Sequence, residues 1–417
     1  MATLPAAARP AAPTLGLIVI IGLAILLNYV DRGAVSIAAP LIKDEMKLSA
    51  TGYGLVVSSF YWTYVPVLVA AGWLADRVSV HRLMAAGVAI WALATLATGL
   101  AGGLVSLLIL RLFMGLGEGV AFPCGSKLLA RVPEARRGSA NVALSGGIAL
   151  GPLVGTLLGG VLLEHWGWRP MFLVFGAVTL LWLLPWARFA SAVDGVKSGG
   201  VKGAAPAVSE PPVAYPRLLA NRQLWAMTFF HFTGTYALYF VLAWLPLWLV
   251  KVRGYSIGDM ALLTSLFYLV QAASGYVIAA TAERLIDRGR DASQVRRALG
   301  LACLAAVAIG TVALGQAEGT AMLALWLVVT AFGAGPTTML LFTAGQSLAG
   351  TGSAGRWMGI QAGIGNLAGV TGPVITGLIV DAAGYTPAFL LTAAIVVAGA
   401  LVFALCVPRL TPIAWDD

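Results

Sequence analysis

The chain has 417 residues, of which 59% are hydrophobic and only 10% are charged. Its mean hydropathy of +0.90 excludes an ordinary soluble domain and indicates a membrane protein with many spans. The net charge of +9 could indicate a nucleic-acid surface. However, the basic residues lie in short loops between hydrophobic segments, where positive charge sets orientation in the membrane.

Twelve hydrophobic segments follow one another along the chain, each long enough to cross a bilayer. We place segments 1 to 12 at residues 15–39, 53–75, 82–100, 104–128, 139–163, 169–190, 222–250, 258–280, 297–315, 320–345, 356–380 and 385–408. The sequence therefore predicts an all-α integral membrane protein with twelve transmembrane helices.

The stretch between segments 6 and 7 is rich in glycine, proline and alanine, and predicts a flexible cytoplasmic linker at residues 191–221. It divides the chain into two six-helix bundles, 15–190 and 222–408, which we expect to be pseudo-symmetric, as in carriers that bind substrate between two repeats. The remaining residues form an expected disordered cytoplasmic N-terminus (1–14) and a cytoplasmic tail (409–417).

Loop charge predicts the orientation of the chain. Of its 26 lysines and arginines, 19 lie on the side of the linker and two lie within the membrane. The other five lie in loops on the opposite side: Lys43, Lys47, Arg169, Lys251 and Arg253. Because short basic loops remain in the cytoplasm, we expect both termini to be cytoplasmic.

Segments 1 and 4 carry ionisable residues within apolar surroundings. Asp31 and Arg32 are adjacent in LLNYVDRGAVS, and Arg111 and Glu118 lie in RLFMGLGEGVAFP. Arg111 and Glu118 share a helix face with roughly 10 Å of rise between them, too far apart to pair directly. Charges at this depth are costly unless they face a bundle interior or a wet cavity. We therefore interpret these four residues as the functional centre, although they could merely lock segments 1 and 4 together.

Neighbouring side chains on segment 1 point about 100° apart. We assign Tyr29 to the stripe of Arg32 and Asn28 to the stripe of Asp31, and expect one stripe to face the translocation path. The other stripe would face a neighbouring helix. Arginine suits a carboxylate substrate because its planar fork donates two parallel hydrogen bonds.

Counting charges at this centre suggests a coupling mechanism. Two arginines and two carboxylates are neutral together, and a bound carboxylate substrate brings the total to −1. Protonation of one acid restores neutrality, and protonation of both makes the loaded site positive. Burial disfavours the ionised acids whereas the arginines favour them, so the acids are suited to proton exchange. The expected coupling ion is the proton, with no other cofactor and no metal.

Further polar residues lie within the hydrophobic segments. The candidates for substrate contact are Tyr64 on segment 2, His231, Tyr236 and Tyr239 on segment 7, and Gln361 and Asn366 on segment 11. A buried amide in a membrane requires partners. Aromatic packing for Tyr64 and a structural hydrogen bond for His231 remain open alternatives.

The loop after segment 2, GWLADRVSVHR, resembles the loop signature of the major facilitator superfamily. The resemblance implies that Gly72 permits close helix packing and that Asp76 caps or pairs with a neighbouring helix end. It also implies that Arg77 and Arg82 gate the cytoplasmic side. The loop departs from the signature at residues 79 and 80, and ERLIDRGRDASQVRR after segment 8 is a faint echo of it.

Within the superfamily, four stretches resemble the anion:cation symporter family, which includes bacterial sugar-acid carriers and resembles the animal organic-anion carriers. They are NYVDR, RLFMGLGEGVAFPCGSK, ARRGSA and GIGNLAGVTGPVITGLIVD. The resemblance implies proton-coupled uptake of a small organic anion into a bacterial cytoplasm by alternating access, with the chain sufficient as a monomer in the inner membrane. It makes Asp31 and Glu118 the proton carriers. One of Arg32 and Arg111 would hold the anion while the other pairs with an acid, and Asn366 would lie near the substrate.

Other classes of function remain open. GGIALGPLVGTLLGG (146–160) resembles the glycine-proline motif of proton-coupled drug antiporters, although plain helix packing also explains it. The alternatives are therefore export of a drug-like or lipid-like compound, carriage of a lysolipid, and a receptor that only senses its ligand. No phosphate-binding loop, metal-ligand cluster or nucleophile grouping appears in the sequence, so we expect neither an enzyme nor an ATP-driven pump.

Overall fold

The computed structural model describes residues 13–129, 137–194 and 213–415. Over these residues the chain forms fifteen α-helices and no β-strand. The helices are α1 (Pro13–Glu45), α2 (Ala50–Arg77), α3 (Val80–Thr98), α4 (Leu104–Glu118), α5 (Ala121–Leu129), α6 (Arg137–Trp166), α7 (Trp168–Leu181), α8 (Leu183–Asp194), α9 (Tyr215–Ala220), α10 (Arg222–Lys251), α11 (Ile257–Asp287), α12 (Ala292–Gln316), α13 (Gly319–Gly365), α14 (Leu367–Ala383) and α15 (Tyr385–Cys406).

The described residues contain twelve helical stretches long and apolar enough to cross a membrane. Segment 4 consists of α4 and α5, and segment 6 of α7 and α8. Helix α13 bends at Gly350, where φ is +70°, so its first part is segment 10 and its second part begins segment 11. The prediction of a twelve-span, all-α membrane protein is confirmed.

Equivalent helices in the two halves begin with the same kind of N-terminal cap. Ser49 Oγ accepts from the backbone N–H of Gly52 at the start of α2, and Ser256 Oγ accepts from that of Asp259 at the start of α11. Segments 5 and 6, and likewise segments 11 and 12, are joined by a single glycine with φ near +80°. Such a left-handed turn favours glycine because glycine has no Cβ. The two halves thus repeat a common architecture.

Part of the predicted linker is structured. Helix α9 lies within it. Two residues before this helix, both backbone polar groups of Val213 are hydrogen-bonded. Ser353 Oγ accepts from its N–H at 2.9 Å, and its carbonyl accepts from Arg356 Nη1 at 2.8 Å. The C-terminal end of the linker is therefore fastened to the second half, and residues 195–212 lie outside the described part of the chain.

The two halves meet along three helix pairs: α2 with α14, α6 with α11, and α1 with α10. Asp381 at the end of α14 accepts hydrogen bonds from the N-terminus of α2, and Lys251 at the end of α10 pairs with Asp44. These contacts lie at the end of the bundles remote from the linker, which we call the far side. The end that carries the linker is the linker side.

Candidate functional site

A central cavity of about 1010 Å³ lies between the two halves. Its lining comes from the middle of α1 and α10 (residues 25–32 and 231–241) and from the linker-side parts of α2 and segment 11 (residues 64–69 and 355–366). Tyr215 of α9 also lines it. The far side is closed by the contacts between the halves, so the cavity belongs to the linker side.

Arg32 is the charged group on the first-half wall of this cavity, and Glu118 is its partner. Glu118 Oε2 accepts from Arg32 Nε at 3.0 Å and from Nη2 at 2.8 Å. Asn28 Oδ1, one helical turn away, accepts from the same Nη2 at 3.1 Å. Glu118 Oε1 and Asn28 Nδ2 have no hydrogen-bond partner among the described residues. The ion pair therefore leaves unused hydrogen-bonding capacity beside the cavity.

Three aromatic rings surround the Arg32 guanidinium. Its Cζ lies 4.7 Å from the ring centre of Tyr29, 4.6 Å from that of Tyr64 and 5.0 Å from that of Phe60. Cation–π contacts of this kind stabilise a cation that has lost most of its water. They help Arg32 to remain charged at the cavity wall.

Segment 4 is interrupted at Glu118. Helix α4 ends at this residue and α5 begins at Ala121. Pro123 has no N–H with which to reach the carbonyl of Gly119, so the helical hydrogen-bond ladder cannot continue through this position. The interruption places the carboxylate at a helix end that borders the cavity, as occurs in transporters built from broken helices.

Asp31 points away from the cavity into the first half. Its Oδ2 accepts from Trp91 Nε1 at 3.1 Å and from Thr179 Oγ1 at 2.9 Å, which joins α1 to α3 and α7. Arg32 thus faces the cavity, whereas Asp31 faces neighbouring helices. This arrangement agrees with the two-stripe interpretation. The assignment of Asn28 to the stripe of Asp31 is wrong, because Asn28 bonds Arg32 and lines the cavity.

Arg111 is buried but does not line the cavity. Its Nη1 donates to Met114 Sδ at 3.2 Å, and its Nε has no partner among the described residues. Its Cζ lies 4.8 Å from the ring centre of Phe60, the same ring that Arg32 contacts. Of Arg32 and Arg111, only Arg32 therefore lines the cavity in this conformation, and it is also the one paired with an acid.

Besides Arg356, the second half contributes uncharged polar groups to the opposite wall. Tyr239 Oη donates to Asn366 Oδ1 at 3.0 Å, and Asn366 Nδ2 donates to the carbonyl of Ala362 at 2.8 Å. This side-chain hydrogen bond of Asn366 competes with the backbone hydrogen bonds of the helix. Helix α13 ends just before Asn366, and α14 begins just after it. Asn366 and Tyr239 both line the cavity.

The other second-half candidates differ in position. His231 lines the cavity, whereas Gln361 is fully buried behind it, with Nε2 3.4 Å from His231 Nδ1. Tyr236 is buried away from the cavity lining, and its hydroxyl lies 3.3 Å from Thr376 Oγ1. Of these three, only His231 is in a position to touch a substrate in this conformation.

The loop with the superfamily signature lies at the linker-side ends of α2 and α3. Arg77 stacks on Trp73, with Cζ 3.8 Å from the ring centre, and Arg82 is exposed. The packing role expected for Gly72 is wrong here, because no atom among the described residues lies within 4 Å of where its Cβ would be. The Asp76 side chain lies outside the described part of the structure.

Several contributors were not selected as site residues from the sequence. Phe60, Trp91 and Thr179 carry no sequence signal, because their roles depend on which helices pack together. Asn28 has a usable signal, since an amide four residues before a membrane-buried arginine is within reach of it on a helix. Tyr239, by contrast, is a candidate from the sequence, and only the structure shows that it contacts Asn366.

Comparisons with known proteins identify the family of this chain. The family model described as Major Facilitator Superfamily matches residues 21–360. The chain belongs to the Major Facilitator Superfamily. Members of this superfamily and the relatives below are transporters, so this chain is a transporter and not an enzyme.

Similar superfamily members are named as anion carriers. A probable sulfoacetate transporter of Cupriavidus necator is 29% identical, with 93% of each chain covered. A hexuronate transporter of Bacillus subtilis is 28% identical, also over 93% of each chain. A chloroplastic ascorbate transporter of Arabidopsis thaliana is 27% identical over 91% of this chain and 72% of its own. These relatives confirm the resemblance to the anion:cation symporter family.

Solved structures of the superfamily share the fold. A bacterial homologue of the human lysosomal transporter Spinster, crystallised in an inward-facing and occupied conformation, superposes with a TM-score of 0.77. The match covers 96% of this chain and 98% of that one at 18% sequence identity. At this identity the likeness establishes the major facilitator architecture alone.

Proposed function

We propose that this transporter is a proton-coupled symporter that takes up a small organic anion, such as a carboxylate or sugar acid. The observation that carries the proposal is the buried pair of Arg32 and Glu118 on the cavity wall. A carboxylate substrate and the Glu118 carboxylate are chemically equivalent partners for one guanidinium fork. The two therefore compete for Arg32, and protonation of Glu118 decides the competition.

The transport cycle follows from this competition. When Glu118 is protonated it no longer balances the charge of Arg32, and the guanidinium binds the anion instead. When Glu118 loses its proton it takes back the two hydrogen bonds of Arg32, and the anion is released. Proton and anion thus occupy the site together and leave together, which is the requirement for symport.

Asp31 serves as a second proton carrier in the proposal. It is adjacent to Arg32 in sequence, but its carboxylate faces α3 and α7. Its protonation would weaken the hydrogen bonds from Trp91 and Thr179, which loosens packing within the first half. Asp31 would therefore act on helix arrangement, whereas Glu118 acts on the anion itself.

The orientation proposed from loop charge makes the linker side cytoplasmic. The far-side contacts are then extracellular, and the described conformation faces inward with Arg32 retained by Glu118. This arrangement is the expected state after release of the anion. We place the protein in a bacterial inner membrane with both termini in the cytoplasm, functional as a monomer, and with protons as the coupling ion.

The test is a transport assay with purified protein in liposomes that contain a trapped pH-sensitive dye. The panel comprises sodium salts of D-glucuronate, ascorbate and sulfoacetate, with tetraphenylphosphonium as a lipophilic cation. Acidification of the lumen on addition of one of the acids, absent from protein-free liposomes, is the expected result. Proton efflux driven by the cation, with no response to the acids, would instead establish the drug-antiporter alternative.

A further inference from the structure

A hydrogen-bond chain behind the second-half wall determines how His231 faces the cavity. Gln361 Oε1 accepts from Trp357 Nε1 at 2.9 Å, and Gln361 Nε2 donates to the carbonyl of Leu341 at 2.9 Å. An indole N–H can only donate and a carbonyl can only accept. The orientation of the Gln361 amide is therefore fixed by its two other partners.

This orientation determines the tautomer of His231. Gln361 Nε2 carries two hydrogens, one of which is used by Leu341, and the other is directed at His231 Nδ1 at 3.4 Å. Nδ1 must then be an acceptor, so in the neutral ring the hydrogen is on Nε2. Gln361 is fully buried and does not line the cavity, which makes it a positioning residue.

The Nε2–H group is available to a substrate. His231 lines the cavity, and its Nε2 has no hydrogen-bond partner among the described residues. The ring is held from behind, because Gly365 packs so closely against it that a Cβ there would lie 2.6 Å from His231 Cγ. The edge of the Phe342 ring also contacts it. Packing thus holds the imidazole with one neutral donor free.

We propose that His231 is a specificity-determining residue that donates a hydrogen bond from Nε2 to a second, uncharged oxygen of the anion held by Arg32. This inference rests on the proposed function and narrows its substrate class. The preferred substrate is a monoanion that carries a hydroxyl, ether or carbonyl oxygen at a distance from its carboxylate. A purely hydrocarbon acid would leave the Nε2 donor unpaired, which costs affinity because water has been displaced from it.

The first arm of the test examines the tautomer without any substrate. The chain contains three histidines, so nitrogen NMR of protein labelled at histidine gives few signals, and the variant His231→Phe identifies the relevant one. We expect the hydrogen on Nε2 in the unaltered protein and a mixture of tautomers in Gln361→Met. The matched control is Gln346→Met, an exposed glutamine on the same helix, which should change nothing. A hydrogen on Nδ1 in the unaltered protein would overturn the inference.

The second arm measures binding to the purified full chain in lipid nanodiscs by calorimetry, with empty nanodiscs subtracted. The probes are sodium D-glucuronate and sodium hexanoate, two six-carbon monocarboxylates that differ in their oxygens. We expect His231→Phe to weaken glucuronate binding about tenfold, the effect of one hydrogen bond in a dry site, and to change hexanoate binding less than about twofold. His231→Gln, whose amide nitrogen can occupy the place of Nε2, should restore most of the affinity.

The matched control for the ring substitution is His165→Phe, because His165 is exposed on the far side and bonds only its own helix. Equal glucuronate affinity in His231→Phe and the unaltered protein would refute the role of His231 and leave the proposed function intact. Failure of both acids to bind the unaltered protein would refute the proposed function for six-carbon monocarboxylates, and this inference with it. If His231→Phe does not fold, His231→Asn serves in its place, since its amide cannot reach the position of Nε2.

Discussion

At the scale of single residues, the proposed coupling of an anion to a proton rests on one ion pair. Arg32 directs two donors at one oxygen of Glu118, and aromatic rings rather than further carboxylates complete its surroundings. A buried cation that loses its partner is destabilised by several kcal/mol. The charged Arg32 is therefore stable at this site only when it is paired with ionised Glu118 or with a bound anion.

The variant Glu118→Gln should bind the anion without releasing a proton. Its amide imitates the protonated acid, so anion exchange between two faces of a membrane should survive while proton-driven accumulation is lost. Radiolabelled counterflow and pH-driven uptake in liposomes measure the two properties separately. Full proton-driven accumulation by this variant would contradict the assignment of Glu118.

The variant Arg32→Lys keeps the positive charge but loses the planar guanidinium that donates two parallel hydrogen bonds. We expect the KM for the transported anion to rise by about 10- to 100-fold, because a lysine cannot reproduce the paired bonds to a carboxylate or the stacking on Tyr29 and Tyr64. Initial uptake rates over a range of anion concentrations give this value. Arg284→Lys, at an exposed position near the end of α11, is the matched control and should leave KM unchanged.

At the scale of helices, the first half is organised by close contacts between α2 and α4. A Cβ at Gly115 would meet the backbone carbonyl of Phe60 and the hydroxyl of Thr63. Thr63 Oγ1 also donates to the carbonyl of Leu112 at 2.6 Å, which ties the two helices together. This contact holds Phe60 against both guanidinium groups, so helix spacing and the geometry of the charged centre depend on one glycine.

The variant Gly115→Ala should separate α4 from α2. Overpacking against a backbone atom costs about 1–3 kcal/mol, so we expect the melting temperature of the detergent-solubilised protein to fall by several degrees. Gly146→Ala on α6 is the matched control, since no atom of the described residues lies within 4 Å of its added Cβ. Equal melting temperatures for the two variants would show that this contact does not limit the stability of the first half.

At the scale of the whole molecule, each half places a carboxylate beside a helix N-terminus of the other half on the closed far side. Asp381 of the second half accepts from the N–H groups of Ala50 and Thr51 at 2.8 Å each. In the symmetric position, Glu164 of the first half lies against the start of α11, with Oε2 2.9 Å from where a Cβ of Gly258 would be. An anion at a helix N-terminus is stabilised by the helix dipole and by free N–H groups.

The variant Asp381→Ala should shift the protein towards conformations that are open on the far side. Loss of a capping carboxylate costs about 0.5–2 kcal/mol, which corresponds to a population change of a few-fold to about thirtyfold. Electron-spin distances between labels at Val78 and Arg288, the linker-side ends of α2 and α11, should then include a shorter population.

The matched control is Asp259→Ala, because Asp259 is on the same side but bonds only Ser256 of its own half. A distance distribution for Asp381→Ala that equals that of the control would show that this contact does not hold the far side closed.

The sequence alone determined the fold class, the twelve spans and the presence of ionisable residues within segments 1 and 4. It could do so because a bilayer imposes length, hydrophobicity and loop-charge rules that act locally along the chain. The positions of Arg32, Glu118, His231 and Asn366 near one path followed from the rarity of polar groups in such segments.

Only the tertiary structure decided which of these groups meet. The sequence could not show that Glu118 bonds Arg32 rather than Arg111, nor that Asn28 faces the cavity and Tyr236 does not. Each of these outcomes depends on the rotation of one helix against another, and that rotation is set by packing between residues distant in sequence, such as Gly115 and Phe60. Local sequence patterns define a helix and its polar residues, but the packing of the whole bundle determines which other residues they contact.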